Sequence, residues 1–218
     1  TTDICPQCHH PTLTGIGSGT ERIEQALKGF VPQARVARMD RDTTTKRGSH
    51  EQLIRRWERG EIDILVGTQM ITKGHDVSGV TLVGALLADL SLNLPDFRAA
   101  ERTFQLLSQV GGRSGRGDNP GRVIVQTYAP DHYAIQHLMR HDYKNFFAAE
   151  SEFRQALNYP PFSRLVNLRI DGPKLSEVEK KSQELALQLR QLKTRKPEVF
   201  AQIEVLGPAA APIEKLRN

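Results

Sequence analysis

Cysteine is nearly absent: the 218-residue chain has two, Cys5 and Cys8, both within its first eight residues. That excludes a disulfide framework for the body of the chain. Long apolar runs are missing as well. No window approaches the ~20 apolar residues that a membrane span needs, and the opening stretch TTDICPQCHH has no apolar h-region of a secretory signal. These absences make a cytoplasmic protein with no membrane partner the expectation. Also missing are G-x-x-x-x-G-K-[ST] and D-E-x-H, the phosphate-cradling loop and the metal-holding acid of a nucleotide hydrolase. GIGSGT (15–20) has the glycines of a phosphate loop but no lysine. Its Ser18, with Glu21 three residues later, has the spacing of a capping box, so it serves better as the start of a helix near Gly19.

What is present is enough for a real core, since 38% of the residues are hydrophobic. The balance of 30 Lys and Arg against 25 Asp and Glu leaves a net charge of +5, a hint of a polyanionic partner rather than a footprint of one. The first 150 or so residues alternate strand-like and helix-like runs, the pattern of an α/β fold with a parallel sheet. Ile23, Leu27 and Phe30 mark the apolar face of a first helix. ARVARMD (34–40) reads as a strand, DTTTKRG (42–48) as a turn, and HEQLIRRWERGE (50–61) as an amphipathic helix. IDILVG (62–67) and VTLVGALLAD (80–89) are continuous apolar runs, as expected of parallel strands covered on both faces. GRVIVQTY (121–128) is the next strand, and two helices fit 131–157. The paired prolines of NYPPFSRL break that pattern and place a domain boundary. Beyond it, RLVNLRIDG (164–172), a long helix over 175–195 and AQIEVLGP (201–208) make one β-α-β unit, too small to be stable by itself.

Two segments carry chemistry. The helix pattern DFRAAERTFQLLSQV runs into QVGGRSGRG (109–117). At ~100° per residue, Ala100, Phe104, Leu107 and Gly111 share one face, and Arg98, Arg102, Gln105, Gln109, Arg113 and Arg116 lie opposite. If the helix continues through the glycines, Gln109, Arg113 and Arg116 form one polar ridge at i, i+4, i+7. Guanidiniums bind phosphate oxygens bidentately and stay charged, so this ridge suits a nucleotide or a nucleic-acid backbone. The glycines cost helix stability, and close approach by a neighbouring backbone is the expected compensation. The alternative is a helix ending near Val110, with GGRSGRGDNPG a solvated turn. The second segment, GTQMITKGHDVSGVTLV (67–83), leaves a buried strand at its carboxyl end, where open α/β sheets bind ligands. It offers Thr68 and Lys73 to phosphates, Gly74 for close backbone approach, and Asp76 to a ribose hydroxyl or an arginine. An ordinary strand-to-helix loop is the plainer possibility.

In this order the segments resemble the second, RecA-like motor lobe of superfamily 2 helicases. G-T-Q-M-x-x-K-G-H resembles motif V and Q-V-x-G-R-x-G-R resembles motif VI. With GTERIEQAL, RMDRDTT, DFRAAERTFQLLSQVGGRSGRG and YPPFSRL, the chain is similar over nearly its whole length to the bacterial replication-restart helicases of the PriA family. The resemblance implies an ATP-dependent 3′-to-5′ DNA helicase that initiates primosome assembly. Its partners would be forked or single-stranded DNA, single-strand-binding protein and primosome proteins, and it would act as a monomer. Arg116 matches the arginine finger, Arg113 and Gln109 its neighbours by the nucleotide. Thr68, Lys73, Gly74 and Asp76 match the motif that touches DNA and couples it to ATP with Mg²⁺. Gly111 departs from the alanine usual there and leaves the arginine spacing intact. The resemblance further implies that 1–14 is the remnant of a zinc-binding insertion, 15–158 the second lobe, and 159–218 the start of an S10-like domain that in the family continues past PIEKLRN. The first lobe, with its Walker loop, would lie before Thr1. A catalytically inert nucleic-acid or zinc module on a degenerate motor fold is the competing function.

CPQCHH admits three chemistries: half of a zinc knuckle, a c-type haem attachment, or a redox dithiol. The family resemblance favours zinc on Cys5 and Cys8. A tetrahedral site needs four ligands, so the rest would come from upstream or from His9 or His10, and a terminus without metal is the plainer state. Trp57 in RRWERG sits on the apolar side of its helix and is expected in the core rather than on DNA. The helix over 174–196 mixes acids and bases and is expected to be solvated. Arg190, Lys193, Arg195 and Lys196 are candidates for salt-dependent backbone contacts.

Overall fold

In the computed structural model the described residues are 19–40, 43–44, 48–68, 71, 79–112 and 121–211. The chain divides into two compact units, one ending at Phe153 and the other beginning at Arg154.

The first unit opens with helix α1 (Thr20–Phe30). Its N-cap is Gly19, without a side-chain cap, and the Ile23 N–H donates to the Gly19 carbonyl. The helix thus begins beside Gly19, as expected, and Ser18 lies outside the described residues. The Thr20 hydroxyl reaches Asp40 at the end of the following strand. Ile23 and Leu27 are half-buried, but Phe30, expected on the same face, is 85% exposed at the last turn. Strands β1 (Val36–Met39) and β2 (Ile64–Gly67) pair in parallel, with Val36 opposite Ile64 and Met39 opposite Gly67. A parallel pair cannot be joined by a hairpin, and helix α2 (Ser49–Glu58) supplies the crossover. Gly48 starts it from the left-handed region at φ 85°, which glycine adopts without steric cost. Ile54 is buried, and Leu53 and Trp57 are half-buried beside it, so Trp57 belongs to the packed side.

Strands β3 (Leu82–Ala85) and β4 (Arg122–Val125) form a second parallel pair, Leu82 opposite Arg122 and Ala85 opposite Val125. Between them lie helices α3 (Asp89–Leu92) and α4 (Ala99–Gly111); α5 (Tyr133–Met139) and α6 (Tyr143–Ala156) follow. Three expectations are corrected here. The described residues form two two-stranded sheets rather than one sheet of four. The run 80–89 is a strand only over 82–85, because Asp89 is caught by donors after β4 and starts α3. Nor are these strands covered on both faces: Leu82 is 58% and Ile124 53% exposed. Their inner face, with Ala85 and Val125, packs on a core of Ala88, Phe104, Leu107, Ala134, Ile135, Leu138 and Phe146. The rings of Phe104 and Phe146 stack with centroids 4.0 Å apart, which fixes the rotation of α4 about its axis.

In the second unit helix α7 (Leu175–Arg195) spans the expected residues and buries Ala186, with its mixed charges in solvent, and α8 (Pro197–Phe200) follows. An Arg190 guanidinium nitrogen donates to the Gly207 carbonyl. Residues 164–172 and 201–208 form no strand, so the β-α-β arrangement is corrected to a long helix flanked by unladdered chain. A strand exists only through its partner, and Val166 (83% exposed) and Leu206 (75%) show how little covers these segments.

Just before β2, Asp63 is gripped by one residue, Arg35, through its backbone N–H (2.7 Å), Nε (2.9 Å) and Nη (2.6 Å). The guanidinium hydrogen bonds first, then the backbone N–H, hold the Asp63 carboxyl down at about 2. A depressed carboxyl pKa gives stabilisation that is complete above the unfolded value and lost as pH falls through the folded one. This pair therefore weakens only between about 4 and about 2. A carboxyl NMR titration should place Asp63 near 2, and Arg35→Ala should return it toward 3.8. A wild-type midpoint near 3.8 would show that the pair is not held in solution.

Candidate functional site

The carboxyl ends of β1 and β2 lie side by side, and this edge is where the chain concentrates polar groups. Asp40 follows β1 and is 6% exposed. Its carboxylate accepts from the Thr20 hydroxyl, the Thr43 N–H (2.9 Å) and the Thr43 hydroxyl (3.0 Å), with Arg38 Nε at 3.4 Å. The Thr20 hydrogen bond leads the effects that hold it ionised below the usual carboxylate range; burial opposes, and Thr43 and Arg38 add to the lowering. This one side chain ties the start of α1 to the turn after β1. Next to it, Gly67 ends β2 and Thr68 stands exposed. The Thr68 carbonyl accepts from the Ile71 N–H at 3.1 Å, which closes a turn.

Beside the second sheet, α4 buries Ala99, Thr103, Phe104, Leu107 and Val110. Arg98, Arg102, Gln105 and Gln109 are exposed on the other side, as the periodicity requires. Some of this face is paired internally: Arg102 with Asp96 at 2.6 Å, and Gln105 with Glu101 at 3.0 Å. The helix ends at Gly111, with the Gly112 N–H on the Ser108 carbonyl. Among the described residues α4 carries Gln109 in its last turn, and Arg113 and Arg116 of the expected ridge lie outside the described residues. Among the described residues, a Cβ at Gly111 would meet nothing within 4 Å, and one at Gly112 only the helix's own carbonyls.

Of the residues singled out from sequence, Thr68 and Gln109 are placed, one after β2 and one at the end of α4. Lys73, Gly74, Asp76, Arg113 and Arg116 lie outside the described residues, as do Cys5, Cys8, His9 and His10. Among the described residues no three His, Cys, Asp or Glu side chains group as a metal site, and no helix is long and apolar enough to cross a membrane. Sequence reasoning passed over Asp40 and Asp89. Both are aspartates directly after an apolar strand run, RMD and LLAD, a signal that could have flagged them as buried carboxylates.

Comparison with known proteins bears on the same segments. Residues 16–118 match the family model for the helicase conserved C-terminal domain, and residues 155–218 match the primosomal protein N C-terminal domain. Replication restart protein PriA of Synechocystis is 46% identical over 98% of this chain and 25% of its own length. That of Bacillus subtilis is 44% identical over 98% of the chain and 26% of its own, and that of Chlamydia muridarum 50% over 74% and 22%. The chain belongs to the PriA family. It spans about a quarter of the length of the PriA proteins just named. The helicase match takes in α1 to α4 together with Thr68, Lys73, Gly74, Asp76, Gln109, Arg113 and Arg116, and the PriA C-terminal match takes in α7 and α8. Cys5 and Cys8 fall outside both.

Proposed function

We propose that this chain supplies the second motor lobe of an ATP-dependent 3′-to-5′ DNA helicase that binds stalled or branched forks and initiates primosome assembly. The observation that carries the reading is α4: a helix locked on the core by Phe104 and Leu107 delivers Gln109, on its solvent side, directly into the GGRSGRG segment. Arg116 and Arg113 would stabilise charge developing on a transferring phosphoryl group, with Gln109, Gly74 and Asp76 about the nucleotide. Thr68 and Lys73 would hold the DNA backbone, where a hydroxyl and an ammonium contact phosphate without reading sequence. The exposed amide and the arginine-rich segment beyond it suit a phosphate ligand, and ATP with Mg²⁺ would bring the transferable phosphoryl group. Cys5 and Cys8 would give two thiolates of a zinc site completed by other ligands. Single-strand-binding protein and primosome proteins are the proposed partners of a monomer in the cytoplasm.

ATP turnover with and without forked DNA tests this in the full-length protein and in the 218-residue chain alone. The full-length protein should show DNA-stimulated hydrolysis and the chain alone none, since an arginine finger acts only on a nucleotide held by a phosphate loop. Robust turnover by the chain alone would sink the reading. Fork binding without turnover by the full-length protein would favour an inert nucleic-acid module.

A further inference from the structure

At Gly67 a side chain could not be accommodated without moving backbone. A Cβ there would lie 2.2 Å from the Met39 carbonyl oxygen, and 2.6 and 2.8 Å from Cδ1 and Cγ1 of Ile71. Contacts under about 3 Å are forbidden to real Cβ atoms, and a ladder carbonyl cannot step aside as a flexible side chain can. Its φ is not in the left-handed region, so the requirement is for space. What fills that space is Ile71. The chain leaves β2, turns at Thr68 with the Ile71 N–H on the Thr68 carbonyl, and lays the Ile71 side chain back over Gly67. Thr68 is thereby pinned from both sides: by the Met39–Gly67 register before it and by the Ile71 plug after it.

We propose that Gly67 and Ile71 are positioning residues that fix Thr68 at the carboxyl edge of the sheet, so that DNA contact there is relayed to the ATP site. The inference rests on the reading of Thr68 as a DNA contact. Neither Gly67 nor Ile71 touches nucleotide or DNA in it; they act through Thr68. An exposed threonine on an unplugged turn would sample many orientations, and loss of orientation in a coupling element is costly in rate even when binding survives.

The test uses the full-length protein and compares basal with DNA-stimulated ATP turnover. Ile71→Ala removes the plug without a clash. It should lower the DNA-stimulated rate on the order of tenfold while leaving the basal rate and the thermal midpoint near wild type. Ile71→Val, which keeps Cγ1, should recover most of the stimulation. Gly67→Ala should uncouple at least as strongly. If Ile71 acts through Thr68, the double variant Thr68→Ala/Ile71→Ala should be no worse than Thr68→Ala alone. Additive losses, parallel loss of basal and stimulated rates, or unchanged stimulation in Ile71→Ala would overturn the positioning role alone. A wild-type protein whose turnover ignores DNA would overturn the underlying reading as well.

Discussion

Replacing Arg116 with alanine in the full-length protein is expected to lower DNA-stimulated ATP turnover by about 10³-fold or more, with little change in affinity for single-stranded DNA. The argument is one of timing. A guanidinium that meets negative charge only as it spreads over the transferring phosphoryl group contributes to the transition state and not to the ground state. Its loss therefore appears in kcat and not in KM. Arg116→Lys should fail to restore the rate, because an ammonium is a compact, hydrated point charge and cannot span two oxygens as the planar fork does. Gln109→Ala serves as a structural control. Gln109 lies exposed on α4 with the buried face of Phe104, Leu107 and Val110 opposite, so its truncation should leave the helix and the thermal midpoint intact. Single-turnover kinetics with saturating nucleotide would measure the effect. A rate for Arg116→Ala within tenfold of wild type would remove the arginine finger from the mechanism.

How far the sequence foretold the structure depends on whether the deciding interaction is local. The two faces of α4 were legible because a 3.6-residue period is written into one segment: Phe104 and Leu107 are buried, Arg98, Arg102, Gln105 and Gln109 exposed. The same holds for α2 with Ile54 inside, and for α7. Strands are different. RLVNLRIDG alternates convincingly, but alternation only readies a segment for a partner, and none of residues 164–172 is in a ladder. The run at 80–89 was read as one buried strand because apolar periodicity cannot locate the residue at which a buried carboxylate takes over.

Glycine shows the same divide within the candidate site. Gly111 and Gly112 stand at the end of α4, where among the described residues only that helix's own carbonyls lie within 4 Å of an added Cβ. The one that matters for packing, Gly67, stands at the end of an ordinary-looking strand, and its constraint comes from a carbonyl 28 residues earlier, on β1. No local pattern encodes such a contact. What the sequence did carry was the order of its motifs, and order is what the family matches also read.

Asp89→Ala is expected to destabilise the chain by about 3–5 kcal/mol, a large share of the stability of a domain this size. Asp89 is 8% exposed and accepts from the Thr127 hydroxyl (2.8 Å) and from the backbone N–H groups of Tyr128 (3.0 Å) and Ala129 (3.1 Å). Through these bonds the first residue of α3 holds the chain as it leaves β4, across the top of the core that seats α4. Alanine would leave the Thr127 hydroxyl and the Tyr128 N–H without this acceptor, while the Ala129 N–H keeps the Thr127 hydroxyl oxygen at 3.0 Å, and each polar group so orphaned costs roughly 1–3 kcal/mol. Asp89→Asn keeps one carbonyl oxygen but turns an amide toward the same donors, so it should fall between. Acidity gives an independent check. Burial pushes the Asp89 carboxyl up, but the Tyr128 N–H, the Thr127 hydroxyl and the Ala129 N–H outweigh it, and the net shift is downward. With a folded pKa below the unfolded one, the contribution is complete above the ordinary aspartate value near 3.8 and is lost as pH falls through the folded value. Urea unfolding from pH 7 down to pH 3 should therefore show the gap between wild type and Asp89→Ala narrowing only below about pH 4. A gap under about 1 kcal/mol at pH 7, less than a single orphaned donor costs, would mean that water or a rearranged turn satisfies these groups.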